Sequence, residues 1–177
     1  FAMVGELNPE WNEPNVTPVE LMERFMKAVQ LCGDAFDRHL EYYGKSWLAA
    51  RQIVQDSIIF SLQDSECVAA RTLKLSQTCP WKEHLFELEQ EHGKPGHFLF
   101  CVYPDDTSKT YRVQAVPAAL DSFESRRGLK QEWRGVRDCD LDLMVVGPSG
   151  AIFVHKTGFI GGHKTYEGAL YMALQSL

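Results

Sequence analysis

The segment Gly158-Phe159-Ile160-Gly161-Gly162-His163-Lys164-Thr165 has the residue types of an anion-binding turn. Glycines let a backbone come close to a ligand, and the first N–H groups of a following helix are free to donate. The apolar run Ala151 to Val154 predicts a strand, residues 155–162 a glycine turn, and the stretch from about Lys164 to Leu177 a helix. In that layout His163 donates to a phosphate oxygen, Lys164 supplies charge at the helix's positive end, and Thr165 caps the helix or touches the ligand. Gly168 inside the helix costs about 1 kcal/mol relative to alanine, which implies a close approach by backbone or ligand. The same residues also describe a plain tight turn with a histidine cap, and spacing alone leaves both readings open.

Other residues have types suited to the same chemistry. Arg126, Arg134 and Arg137 fall in a loop-rich segment where guanidinium forks grip phosphates, although Asp138, Asp140 and Asp142 offer them salt bridges instead. Lys82 and His84 stand near a helix start and are phosphate contacts or surface groups. Trp81 shares helical spacing with Leu85 and Leu88 and reads as core rather than as a base-stacking ring. Cys79 beside His84 lacks the third orienting group that a thiol nucleophile needs, so it reads as structural. His155 closes the strand before the glycine turn and is read as a second substrate contact, with a core histidine as the alternative. His39, His92 and His97 receive no role.

These residues need elements to hold them. Thr17-Pro18-Val19-Glu20 predicts a capped helix start, and Met22, Phe25, Val29, Cys32, Phe36, Leu40 and Tyr43 make one apolar stripe after it. Gly44 interrupts the pattern, and a second helix is predicted from about Ser46 to Leu62, giving a long hairpin or kinked rod that needs cover. Next come a short strand near Ala70 to Leu75 and a helix from Pro80 to about Glu91. Phe98 to Tyr103 is a continuous apolar run, suited to a strand buried on both faces, and Tyr111 to Val116 alternates as its hairpin partner. A short helix is expected after Asp138. The sum is an α+β fold, a small, mainly antiparallel sheet with flanking helices, preceded by a long helical arm.

Composition narrows the function classes. At 177 residues, 45% hydrophobic and 24% charged, the chain matches one soluble domain with a helical extension. No apolar run approaches the roughly 20 residues of a membrane span, so no membrane partner is expected. Five scattered cysteines without zinc-ligand spacing favour reduced thiols in an intracellular compartment. The start at Phe1 is read as an internal one. A net charge of −6 argues against binding nucleic acid through bulk positive charge, yet residues 126–164 carry seven basic against four acidic side chains.

The string Gly161 to Ala169 resembles the glycine-glycine-histidine motif of the domain that accompanies DHH-type phosphoesterases. Cys79-Pro80-Trp81-Lys82-Glu83-His84, Ser122-Phe123-Glu124-Ser125-Arg126, Trp133-Arg134-Gly135-Val136-Arg137-Asp138 and Phe153-Val154-His155 through Ala169 resemble, in this order, the C-terminal half of the melanocyte-proliferating-gene family of exonucleases. The likeness runs from about Leu7 to the end. It implies a 3′-to-5′ RNA exonuclease of nucleus and mitochondrion whose DHH half binds manganese or magnesium. This chain has no Asp-His-His string. The resemblance therefore implies a helical arm over 1–65 joining to a separate N-terminal DHH domain, and a DHH-associated substrate-binding domain over 66–177 that is inactive alone. Its expected substrate-holding residues are Gly161, Gly162, His163, Lys164, Thr165, His155, Arg126, Arg134, Lys82 and His84, with no catalytic or metal residue of its own. Expected partners are RNA or oligonucleotide phosphates, the DHH domain and a second copy through the arm. A non-catalytic partner-binding module and a hydrolase of small phosphoesters are the alternatives.

Overall fold

A computed structural model describes residues 2–177. Phe1, the first position of the expected arm, lies outside the described residues. The chain forms two compact units, residues 1–48 and 49–177. The division falls earlier than residue 65 because the second helix shares its core with the sheet.

The first unit contains the short helix α1 (Ala2–Gly5) and the long helix α2 (Pro18–Glu41). Thr17 caps α2 as expected: its backbone N–H donates to the Glu20 carboxylate at 2.8 Å, and the Glu20 N–H donates to the Thr17 hydroxyl at 3.3 Å. No residue of α2 is buried, and Met22, Phe25, Met26, Val29, Phe36 and Leu40 are exposed. Gly44 does not break the helical run; it sits in a π-helical turn over Tyr42–Trp47.

The second unit begins in helix α3 (Leu48–Gln63), followed by α4 (Ser65–Ala69), β1 (Thr72–Lys74), α5 (Lys82–Glu91), β2 (Phe100–Asp105), β3 (Thr110–Ala115), α6 (Asp138–Met144), β4 (Ala151–Val154), β5 (Ile160–His163) and α7 (Tyr166–Leu174). Five strands form one open sheet in the order β1-β2-β3-β5-β4. Only β1 and β2 run parallel, joined by the α5 crossover; the remaining pairs are antiparallel. This is the α+β architecture with a mainly antiparallel sheet that the patterning predicts.

Two clusters of buried side chains cover the two faces of the sheet. Phe100, Val102, Val113, Val154, Ala169 and Met172 belong to one, and Val54, Ile58, Leu73, Leu85, Leu88 and Cys101 to the other. Phe100, Cys101 and Val102 are all fully buried, which is why β2 reads as an unbroken apolar run rather than an alternating one. Trp81 lies in the second cluster, as its spacing predicts. Burial pushes the Cys79 thiol above its ordinary range, which suits a packed cysteine and not a nucleophile.

Candidate functional site

The glycine-glycine-histidine segment is not a turn. Gly161, Gly162 and His163 form most of β5, an inner strand paired with β3 on one side and β4 on the other. The turn lies earlier, where the Gly158 N–H donates to the His155 carbonyl at 2.8 Å and Gly158 takes a φ of +75°. Glycine is needed in β5 for room. A Cβ on Gly161 would come within 3.0 Å of Leu129 Cδ1 and the Phe153 carbonyl oxygen, and one on Gly162 within 2.7 Å of the Phe153 ring. The pair is thus a flat place in the sheet over which neighbouring side chains lie.

His163 is fully buried, and both of its ring nitrogens have partners. The Thr165 N–H donates to Nδ1 at 3.0 Å, which puts the ring proton on Nε2, 3.1 Å from the Pro148 carbonyl oxygen. Helix α7 begins only at Tyr166, so His163 does not stand at its N-terminus. Thr165 is the cap, accepting from the Gly168 N–H at 3.1 Å. The close approach anticipated at Gly168 is made by the His163 ring: a Cβ there would fall 1.9 Å from Cε1. The Lys164 N–H donates to the Gly150 carbonyl at 2.9 Å, and its side chain is exposed. The phosphate-holding roles expected of Gly161, Gly162 and His163 therefore meet groups already committed to the fold.

The loop that faces His163 is fixed from the other side. Asp142 Oδ1 accepts from the N–H groups of Gly150 at 2.6 Å and Ala151 at 2.9 Å, and Oδ2 from the Ser149 hydroxyl at 2.6 Å. These donors hold its carboxyl at about 2, the Ser149 hydroxyl contributing most. Pro148, Asp142 and His163 form one hydrogen-bonded clasp between α6, β4 and β5.

Arg126 is similarly occupied. Its Nη1 lies 2.9 Å from the Glu89 carboxylate and 2.9 Å from the Phe98 carbonyl, with side-chain exposures of 11% for Arg126 and 1% for Glu89. Glu89 also accepts from the N–H groups of Phe98 and Gly96. His84, on α5, is fully buried, so an anion reaches it only by displacing core packing.

Two of the solvent-open clefts take in residues expected at the site. The first, of about 440 Å³, is lined by Lys82, Gln114, Ser122, Phe123, His155 and Phe159 among others. Phe123 is fully exposed at the tip of a loop closed by the Ala118 N–H to Glu124 carbonyl bond and the bridge between Pro117 and Ser125. His155 Nδ1 lies 2.9 Å from the Thr157 hydroxyl and 3.3 Å from the Thr157 N–H, its ring packs edge-on against Phe159, and the residue lines the cleft. The second cleft, of about 510 Å³, is lined by Arg126, Arg127, Lys130, Glu132 and Arg134, with Ser125 shared between the two. Of the ten expected residues, the first cleft collects Lys82 and His155 and the second Arg126 and Arg134. Sequence reasoning missed Phe123, Arg127 and Lys130 as cleft residues; Phe123 lay inside a quoted motif, but nothing in its spacing marks it as exposed.

The second unit is an α+β fold with an open sheet and two clefts that meet at Ser125. The chain belongs to the MYG1 exonuclease family, whose model, described as "Uncharacterised protein family (UPF0160)", matches residues 1–177. This is the family that the four ordered motifs resemble. A MYG1 protein of Dictyostelium discoideum is 44% identical over 176 residues, covering 99% of this chain and 52% of its own length. The MYG1 exonucleases of Bos taurus and Homo sapiens are each 41% identical over 177 residues, covering 99% of this chain and 45% of their own. The chain thus spans about half the length of the curated relatives it matches. No solved structure matches.

Proposed function

We propose that this chain is the substrate-holding part of a metal-dependent 3′-to-5′ RNA exonuclease, and that the first cleft receives the terminal nucleotide. The observation that carries this is the composition of that cleft, in a chain of a family whose mammalian members are named exonucleases. Lys82 offers a cation, His155 a ring N–H donor, and Phe123 an exposed ring face. A cation for the backbone plus an aromatic face for a base is what single-stranded RNA needs, with stacking worth about 1–3 kcal/mol per base. The cleft volume falls within the roughly 300–1,000 Å³ usual for small-ligand sites. Lys164 and Thr165 are exposed just after the inner strand β5, with the Thr165 hydroxyl already engaged as the α7 cap.

The manganese or magnesium that the family resemblance calls for does not fit the residues here. Among the described residues no group of three or more His, Cys, Asp or Glu side chains gathers to hold a metal ion. The proposal assigns the metal to a DHH domain outside this chain, and predicts that the chain alone hydrolyses nothing. Work in nucleus and mitochondrion is part of the same proposal.

The test uses the full-length protein. Phe123→Ala is expected to weaken binding of a phosphorothioate RNA oligonucleotide about tenfold, the loss of one stacked base, without lowering the melting temperature. Unchanged RNA binding with hydrolysis of small phosphoesters would replace RNA by a small substrate. A second reading, a partner-binding surface, is favoured by one observation: α2 presents eight large apolar residues and buries none. The DHH domain and a second copy of the chain are the occupants we propose, and Phe25→Glu with Val29→Glu should abolish that association.

A further inference from the structure

We infer that the RNA strand runs on from the terminal-nucleotide cleft, past Ser125, into the basic cleft, where Lys130 and Arg134 hold its phosphates. This rests on the first cleft being the nucleotide site. Two features join the clefts. Ser125 lines both, and the turn that carries His155 is also the surface against which Arg134 lies. A Cβ on Gly158 would fall 2.4 Å from Arg134 Nε, and one on Gly128 would fall 2.6 Å from an Arg134 Nη. Two glycines thus leave the room that one guanidinium occupies.

The four cations of the basic cleft divide cleanly. Arg126 is engaged with Glu89, and Arg127 donates to the carbonyl oxygens of Ser176 and Leu177. Arg134 donates Nε to the Leu129 carbonyl at 2.9 Å, which anchors its plane, and among the described residues no carboxylate pairs with it. The Lys130 ammonium lies 5.4 Å from the centre of the Trp133 ring, likewise with no carboxylate pairing it. Glu132 is the one acidic lining residue, and it is exposed. A guanidinium fixed through Nε, with its other nitrogens unpaired by acid, presents a fork suited to a phosphate. A second, exposed cation in the same cleft suits the next phosphate along an unstructured strand. Trp133 is buried, so this cleft grips backbone without stacking bases, which predicts sequence-independent contact.

The consequence is a dependence on length. In the full-length protein, Lys130→Ala and Arg134→Gln together should weaken a phosphorothioate decanucleotide about tenfold while leaving a dinucleotide within about twofold. The slope of log affinity against log salt for the longer RNA should fall by about 0.7 for each cation removed. Phe123→Ala should weaken both lengths alike. Lys130 is exposed, so Lys130→Glu repeats the test without disturbing the Leu129 contact. Equal losses for both lengths, or no loss for either, would overturn the track. Unchanged binding of both lengths by Phe123→Ala would instead overturn the terminal cleft, and the two failures are thereby distinguished.

Discussion

His155 and His163 bracket the same hairpin, one just after β4 and the other at the end of β5, and they are used in opposite ways. His163 is buried, with both nitrogens committed to the Thr165 amide and the Pro148 carbonyl. His155 commits Nδ1 to its own turn, leaves Nε2 without a protein partner among the described residues, and lines a cleft. Arg126 and Arg134, one and nine residues after the shared Ser125, repeat the contrast: Arg126 neutralises a buried glutamate, and Arg134 keeps part of its fork clear of acid. A side chain able to bind phosphate does so only if the fold has not already used it. The lesson is to count partners before assigning roles.

The contrast is breakable, and the largest effect belongs to Arg126. Arg126→Ala leaves the Glu89 carboxylate buried beside only two backbone donors and should cost about 3–5 kcal/mol, read as a large fall in denaturation midpoint. A loss below about 1 kcal/mol, the scale of a surface pair, would place Arg126 with Arg134 instead. Gly168→Ala forces the His163 ring to move and should cost about 1–3 kcal/mol, the usual range for overpacking. A neutral outcome would mean that the ring is not locked.

Acid offers a gentler test of the clasp around His163. The Asp142 carboxyl is held at about 2 against an ordinary 3.8, by the Ser149 hydroxyl and then the Gly150 and Ala151 amides; Asp105 is held at about 2 chiefly by Arg112. A depressed carboxylate contributes stability fully above its unfolded value and loses it as pH falls through its folded one. The melting temperature should therefore hold from neutral pH to about 4 and decline between about 4 and 2. Asp142→Asn should start lower and decline less over that window. An acid limb identical to the parent's would show that the clasp contributes nothing.

Much of the fold is legible because local patterns agree with it. Thr17 and Glu20 form their capping box, Ala151–Val154 is a strand, and the doubly buried β2 is visible in the run at Phe98 to Tyr103. The site is less legible, for reasons that lie in tertiary packing. Two adjacent glycines read locally as a turn, and only the Phe153 ring, Leu129 and Met172 lying over them explain a strand. His84 shares a helix start with Lys82, but one is buried and the other exposed, a difference that spacing three residues into α5 does not declare. Arg126 reads as a free fork because Glu89, its partner, is distant in sequence and comes near only through the packing of α5. The family resemblance was carried by motif order, which survives even where a motif's local geometry is misread.

The most direct test places His155→Ala and His163→Ala side by side in the full-length protein, measuring RNA degradation and thermal unfolding on the same preparations. His155→Ala should reduce turnover about tenfold, the loss of one directed hydrogen bond to substrate, at an unchanged melting temperature. His163→Ala should lower the melting temperature and, where still folded, retain more turnover than His155→Ala. A His163→Ala protein of unaltered stability and abolished turnover, beside a fully active His155→Ala, would contradict the account and return the substrate to the glycine-glycine-histidine strand.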